Sequence, residues 1–412
     1  MLFRSRLVWI LGLGAFGLSF SISTTAAYLP KFLERFTDSA TIIAAIIAAE
    51  GLFALSVPLV IGPWSDTFQT PMGRRRPFML AALPALTFCL ALMAFMPTIW
   101  MTGLIVAAFY FAYYVYEPPY RGLYPDLLHE SLYGRSQSVQ HIMRGAAIGI
   151  ALVGGGFLFK VWRPGPFLLA AVVTTLACGG VVALAREDVG HERVFKGLVA
   201  YMKIGWHIFR HEPQVRLFLT ANAAWEGTFA AMRTFVVLYI TKGLGQPLST
   251  SSAVLATVAV GYVIAALAAG PLGDRYGLAR TILYASCVYG LGLLFAGLGS
   301  EWHNWYYGLI LPVAVAGGTV MTLSWALLFK LMPPEHRGAI SGIATTTKGW
   351  GLLIGPLVAG VLIDVFSPYL KKTDGYQVLW PVCAVPVLLA IPIVASLLRA
   401  EEPSGKPEPQ LS

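Results

Sequence analysis

Twelve long apolar runs, separated by short polar connections, set the rhythm of this chain. They fall at roughly 7–29, 40–63, 77–97, 99–124, 138–160, 166–185, 214–240, 249–272, 279–299, 304–331, 339–366 and 376–398. A helix needs about 20 apolar residues to cross the hydrocarbon core of a bilayer, so each run predicts one membrane-spanning helix. The pattern predicts an all-α membrane protein in which six helices (1–185) precede a polar connection at 186–213. Six more (214–398) follow it, then a tail at 399–412. Within the connection Phe195, Leu198, Val199, Met202, Trp206 and Phe209 recur at helical spacing. Lys196, Lys203 and Arg210 fall on another face. This segment reads either as an amphipathic helix on an anionic lipid surface or as a plain helical linker.

The polar punctuation repeats. Gly62-Pro-Trp-Ser-Asp66, a gap, and Gly73-Arg74-Arg75-Arg76-Pro-Phe78 lie between the second and third runs. Gly270-Pro-Leu-Gly-Asp274-Arg275-Tyr-Gly277-Leu-Ala-Arg280 lies between the eighth and ninth. Farther on, Gly134, Arg144, Gly145 and Gly156 match Gly338, Lys348, Gly349 and Gly360 at a constant offset of 204 residues. A chain that repeats its own loops half a length apart reads as two homologous halves, a common build among secondary transporters.

Composition sharpens the picture. The 412 residues are 57% hydrophobic and 12% charged, with a mean hydropathy of +0.69, against about 25% charged in soluble domains. The first run follows Arg4 and Arg6, is too long for a signal-peptide core, and is expected to stay as the first span. An even number of spans puts both termini on one side, and placing them in the cytoplasm collects nineteen basic loop residues inside against seven outside. The expected location is the cell membrane, multi-pass, with cytoplasmic termini. The net charge of +9 is then a topology signal, and no basic stripe interleaved with exposed aromatics suggests nucleic acid. Cys89, Cys178, Cys287 and Cys383 each lie alone in a separate run, without metal spacing or an indicated disulfide.

Two six-helix halves, a middle connection and this loop after the second and eighth spans resemble the major facilitator superfamily. The longer first copy, with Ser65-Asp66 and Gly73-Arg-Arg-Arg-Pro-Phe78, is similar to the sucrose–proton symporters and their glycoside-pentoside-hexuronide relatives. Arg121-Gly-Leu-Tyr-Pro-Asp126-Leu127 is similar to the Arg-Ala-Leu-x-x-Asp-Leu of that group's fourth span, with Gly122 in place of the alanine. The resemblance implies the two-bundle facilitator fold, a central cavity lined by the first, fourth, seventh and tenth spans, and a functional monomer. It also implies that Asp66 and Arg74 to Arg76 form a network holding the cytoplasmic side shut, with Asp274, Arg275 and Arg280 as counterparts.

Ionisable groups inside spans cost about 2.5–3.5 kcal/mol each, so each asks for a reason. Glu50 in the second span reads as a proton-loading carboxyl or as a structural ion pair with Arg144. Glu226 and Arg233 share a face of the seventh span with Asn222 and Trp225. Their axial separation of ~10 Å sends each toward a partner on another helix. Tyr113, Glu117, Tyr120, Arg121 and Tyr124 follow helical spacing in the fourth span. Tyr113 and Glu117 read as a site for a polyhydroxylated ligand, and Tyr120 to Tyr124 as an interfacial belt. Ser21, Thr24, Thr25, Thr322 and Trp325 add polar and aromatic groups to the expected cavity, or serve as packing glue. Asp126, Arg144 and Lys348 complete the candidates. Gly154, Gly155, Gly156, Gly355 and Gly360 are expected to let helices approach and slide.

These readings lead to a secondary active transporter of a small polar solute, a sugar or glycoside, coupled to protons and without a cofactor. An exporter of drugs or small metabolites is the competing transport reading, and a non-transporting membrane sensor or assembly factor the competing class. No P-loop pattern points to ATP, and no constellation of catalytic residues points to an enzyme.

Overall fold

The protein is described by a computed structural model covering residues 2–128, 133–187, 207, 209–331 and 337–401. Twelve long helices run through the described residues: α1 (Leu2–Leu33), α2 (Ala40–Thr67), α3 (Arg76–Leu92), α4 (Ile99–Leu127), α5 (Tyr133–Val161), α6 (Gly165–Leu184), α7 (Pro213–Leu238), α8 (Leu248–Tyr276), α9 (Leu278–Ala296), α10 (Tyr306–Leu331), α11 (Arg337–Phe366) and α12 (Leu379–Glu401). Each corresponds to one apolar run. The amphipathic reading of 186–213 falls almost wholly outside the described residues, as do the tail beyond Glu401 and the side chain of Asp66.

Local chemistry starts and stops these helices where expected. Ser39 caps α2 by accepting from the Ile42 N–H, and Thr98 caps α4 by accepting from Met101. Proline occupies the first turn of α3, α6 and α7, where its missing N–H costs nothing. Eleven helices are long and apolar enough to cross a membrane. The exception is α7, which at 26 residues is long enough but carries Asn222, Glu226 and Arg233 in its middle. Its polarity is buried: Asn222 and Glu226 are almost inaccessible.

The two halves pack by the same rule. In the first, α1 packs on α5 and α6, α4 on α2 and α3, and α3 on α6. In the second, α7 packs on α11 and α12, α10 on α8 and α9, and α9 on α12. Adding six to each helix number turns the first set into the second, so the sequence repeat is a structural one. The halves meet along α2 and α11, along α5 and α8, and between α1 and α7.

Those seams are close because glycine removes the side chain that would hold them apart. A Cβ on Gly51 of α2 would sit 2.4 Å from the Leu353 backbone nitrogen of α11, and one on Gly156 of α5 would sit 1.9 Å from Ser252 Oγ of α8. Of the glycines expected to allow sliding, Gly156 and Gly360 lie at such seams, Gly155 and Gly355 lie in close contacts within their own halves, against Tyr28 and Gly227, and Gly154 has nothing within 4 Å. The outer surface carries exposed Leu104, Phe157, Leu176, Leu267 and Leu389, while Ser21, Thr25 and Glu50 are buried inside. This inversion of the usual arrangement is what a lipid solvent selects.

Candidate functional site

Charged groups gather at three levels: the end that carries the termini and the repeated loops (the motif end), the centre, and the far end. At the motif end the two loop copies share one backbone feature. Gly73 has φ +102° and Gly277 φ +89°, a conformation in which a side chain is strained. The second copy turns from α8 to α9 on Gly277 alone. The extra residues of the first form a small hairpin in which the N–H groups of Gly73 and Thr70 donate to each other's carbonyls at 3.0 and 3.3 Å.

This hairpin presents the arginines to two carboxylates. Arg75 is buried, and its Nε donates to Asp126 Oδ2 at 2.7 Å, with Arg74 Nη2 3.5 Å from the same oxygen. Glu187, just beyond α6, accepts from the backbone N–H of Arg75 at 2.9 Å and of Arg76 at 3.4 Å. Arg76 Nε donates to the Val182 carbonyl at 2.9 Å. A Cβ at Gly122 would lie 1.6 Å from Arg75 Nη1, so the glycine that replaces an alanine of the similar group gives the guanidinium its room. The sequence reading assigned Asp66 as the carboxylate here; its side chain lies outside the described residues, and among the described carboxylates the partners are Asp126 and Glu187. Asp126, a substrate candidate by sequence, thus belongs to this network. In the second copy Asp274, Arg275 and Arg280 are exposed, and Arg275 lies over the Tyr276 ring at 5.2 Å.

At the centre, Glu50 of α2 is paired with Arg233 of α7. This corrects the pairing with Arg144: the Arg233 side chain reaches from α7 to α2, and the bond bridges the two halves. Tyr110 and Tyr114 are buried on α4 within electrostatic reach of both partners. Glu226, one helical repeat before Arg233, is buried yet has no hydrogen bond or ion pair among the described residues; Lys348 of α11 lies within electrostatic reach. Asn222 Nδ2 donates to Thr347 Oγ1 at 3.0 Å, and the fully buried Trp225 has an Nε1 without a hydrogen-bond acceptor among the described residues. Glu117 pairs with Arg121 one turn away, at 2.6 Å, and feels Lys348 and Arg144. Tyr113 is buried beside this group, and Trp325 is half-buried on α10.

One further expectation changes. Tyr120 and Tyr124 are core residues, not an interfacial belt: the Tyr120 hydroxyl donates to the Leu11 carbonyl at 2.7 Å and lies 2.7 Å from the Tyr124 hydroxyl. Gly14 on α1 provides the space, since a Cβ there would meet the Tyr120 ring at 2.3 Å. In α1 and α10, Ser21, Thr25 and Thr322 bond back to carbonyls of their own helices. Thr24 Oγ1 is buried without a partner among the described residues.

The far end holds residues that the sequence reading missed. Asp364, near the end of α11, accepts from the Ser39 hydroxyl at 2.6 Å, the Ala40 N–H at 2.8 Å and the Thr41 N–H at 2.9 Å. A carboxylate of one half thereby caps the N-terminus of α2 in the other, where the helix dipole favours it. Lys242, in the π-helical turn after α7, reaches Asp38 at 3.0 Å and Asp374 at 3.3 Å. Burial pulls the Lys242 ammonium down, and the hydrogen bonds to the two aspartates outweigh it, leaving its pKa above the usual lysine value. A single acid within an otherwise apolar final stretch of a span was the available signal for Asp364.

Comparison with known proteins decides the family. The model of the Major Facilitator Superfamily matches residues 11–253 and 227–411. The chain belongs to the major facilitator superfamily. It is 24% identical to the class G tetracycline resistance protein of Vibrio anguillarum over 93% of this chain and 95% of that one. It is 29% identical to Multidrug resistance protein 3 of Bacillus subtilis (strain 168) over 27% of this chain and 22% of that protein's length. Its fold is similar to that of a mutant of the nucleoside transporter NupG, with a TM-score of 0.78 at 13% identity, covering 95% of this chain and 99% of that one. The narrower likeness to sucrose and glycoside symporters does not reappear in these three, and the assignment stops at the superfamily: a multi-pass, non-enzymatic membrane transporter of the secondary kind.

Proposed function

We propose that this facilitator couples proton movement to transport of a sugar or glycoside by alternating access, as a monomer in the cell membrane with both termini cytoplasmic and with no cofactor beyond the proton. The observation that carries the coupling is the charge set at the seam of the halves. Glu226 is a buried carboxyl with no direct partner among the described residues, beside a Glu50–Arg233 pair whose members belong to different halves. A carboxyl held at the seam of the halves is placed to carry a proton between the two sides, and rocking of the halves must stretch or remake the Glu50–Arg233 pair. Support for a sugar comes from the first loop copy and from the mixed aromatic and charged face at Tyr113 and Glu117.

The test is uptake of radiolabelled sucrose, maltose and glucose by proteoliposomes under an imposed proton gradient. Accumulation that a protonophore abolishes is expected. Glu226→Gln is expected to lose accumulation and keep counterflow exchange; unchanged accumulation in this variant would remove Glu226 from the coupling role.

A second reading has its own observation. The likeness to a tetracycline resistance protein runs almost the full length of both chains, which favours proton-coupled export of an amphiphilic drug or metabolite. Proteoliposomes loaded with a proton gradient of either sign and offered tetracycline separate the two: tetracycline flux without sugar flux selects the exporter.

A further inference from the structure

The central charges do not balance. Among the described residues, the middle of the helix bundle holds three carboxylates, Glu50, Glu117 and Glu226, and four cations, Arg121, Arg144, Arg233 and Lys348. Two direct pairs, Glu50 with Arg233 and Glu117 with Arg121, account for four of them. The remainder is one carboxylate and two cations. Neither Arg144 nor Lys348 makes a hydrogen bond or ion pair among the described residues. Both are only partly exposed. They occupy corresponding positions of α5 and α11, one in each half, and both lie within electrostatic reach of the single Glu117 carboxylate.

A surplus cation away from bulk water is expensive unless an anion joins it. Cations that served only packing would be expected to find partners inside their own half, as Arg75 does with Asp126. Here one cation from each half converges on the same acid while each keeps its donors free. A guanidinium and an ammonium that both reach Glu117, one from each half, suit a carboxylate or phosphate held by both, the guanidinium by two parallel N–H donors and the ammonium as a point charge. Tyr113, buried within reach of Arg144, adds a hydroxyl at the edge of the group.

We propose that Arg144 and Lys348 together form the recognition site for an anionic group on the transported solute, so that the substrate is an acidic sugar or glycoside and not a neutral one. The inference rests on the transport reading above and narrows its substrate class. A site divided between the halves also gives the anion a reason to drive closure, because it neutralises both cations at once.

Uptake into proteoliposomes of radiolabelled glucuronate, glucose 6-phosphate, lactate and glucose tests it. The expected result is uptake of one of the anions with at least about tenfold preference over glucose. Arg144→Gln and Lys348→Gln should each weaken that uptake about tenfold or more in apparent affinity, as loss of a charged hydrogen bond does. Arg144→Lys and Lys348→Arg, which keep the charge, should weaken it less than the Gln variants do and guard against a folding defect. Glucuronate against glucose 6-phosphate separates carboxylate from phosphate. Uptake of lactate without either sugar anion would keep the anion site and remove the sugar. Glucose uptake equal to or above that of the anions, or Gln variants with unchanged affinity, would overturn the proposal while leaving sugar transport standing. Uptake of none of the three anions by the wild-type protein would also overturn it.

Discussion

The motif end and the far end are both stitched by carboxylates, but the stitches run differently. At the motif end Arg75, Asp126 and Glu187 come from α3 and its preceding loop, α4 and the chain just beyond α6, all in the first half. At the far end Asp364 and Lys242 belong to the second half and hold Ser39, Ala40, Thr41 and Asp38 of the first. A bond within one half travels with it as a rigid body, whereas a bond between halves must break whenever that end opens. The motif network therefore preserves the shape of a moving part, and the far-end bonds set the balance between two arrangements of the parts.

The largest effect is expected at Asp126. Asp126→Asn removes the carboxylate that the buried Arg75 Nε bonds at 2.7 Å, and breaking a buried pair costs about 3–5 kcal/mol. Thermal unfolding in detergent should show a large drop in midpoint, with the open–closed balance of the surviving protein unchanged. Gly73→Ala should follow at about 1–3 kcal/mol, because a side chain is strained at positive φ and its Cβ would lie 2.1 Å from Glu187 Oε2. Gly277→Ala shares the φ strain, so comparing the two alanines tests whether the same backbone requirement holds in both loop copies.

Asp364→Ala should act the opposite way. It removes three hydrogen bonds that exist only when the far end is closed, worth about 1–3 kcal/mol together, and should shift the population toward far-end opening with little change in unfolding midpoint. Lys242→Met should give the smallest effect, ~0–1 kcal/mol, since its partner Asp38 is well exposed. The Lys242 pKa is raised in the folded protein, so its contribution is complete below the ordinary lysine pKa and is lost as pH rises through the raised value. Alkaline titration of far-end closure should show that step in the wild type and not in Lys242→Met.

Much of this was legible in the residues. Apolar runs of about 20 located every helix, including α7, whose polar centre keeps it below the hydropathy of the other eleven. The repeated loops foretold that the helices of the two halves would pack in one pattern, and Gly73 and Gly277 do share a positive φ. Pairing was not legible. Helical spacing puts Glu226 and Arg233 on one face of α7, but which charge on another helix meets Arg233 depends on how the halves cross, and no local pattern encodes that. Tyr120 and Tyr124 read as a belt because a span facing lipid and a span facing protein are equally apolar along the chain. Their burial depends on Gly14, more than a hundred residues away. Glu187 lies just beyond a helix end, where an acid ordinarily faces water, so nothing marked it as bonded; the lone acid in an apolar stretch marked Asp364 but not its partners.

The most direct test of this division is a distance measured across the far end. Spin labels at Thr37 in the first half and Tyr369 in the second, read by double electron–electron resonance, should give one short population in the wild type and in Asp126→Asn. A second, longer population should appear in Asp364→Ala. The same distances in a folded Asp364→Ala as in the wild type, or a long population produced by Asp126→Asn, would contradict the account.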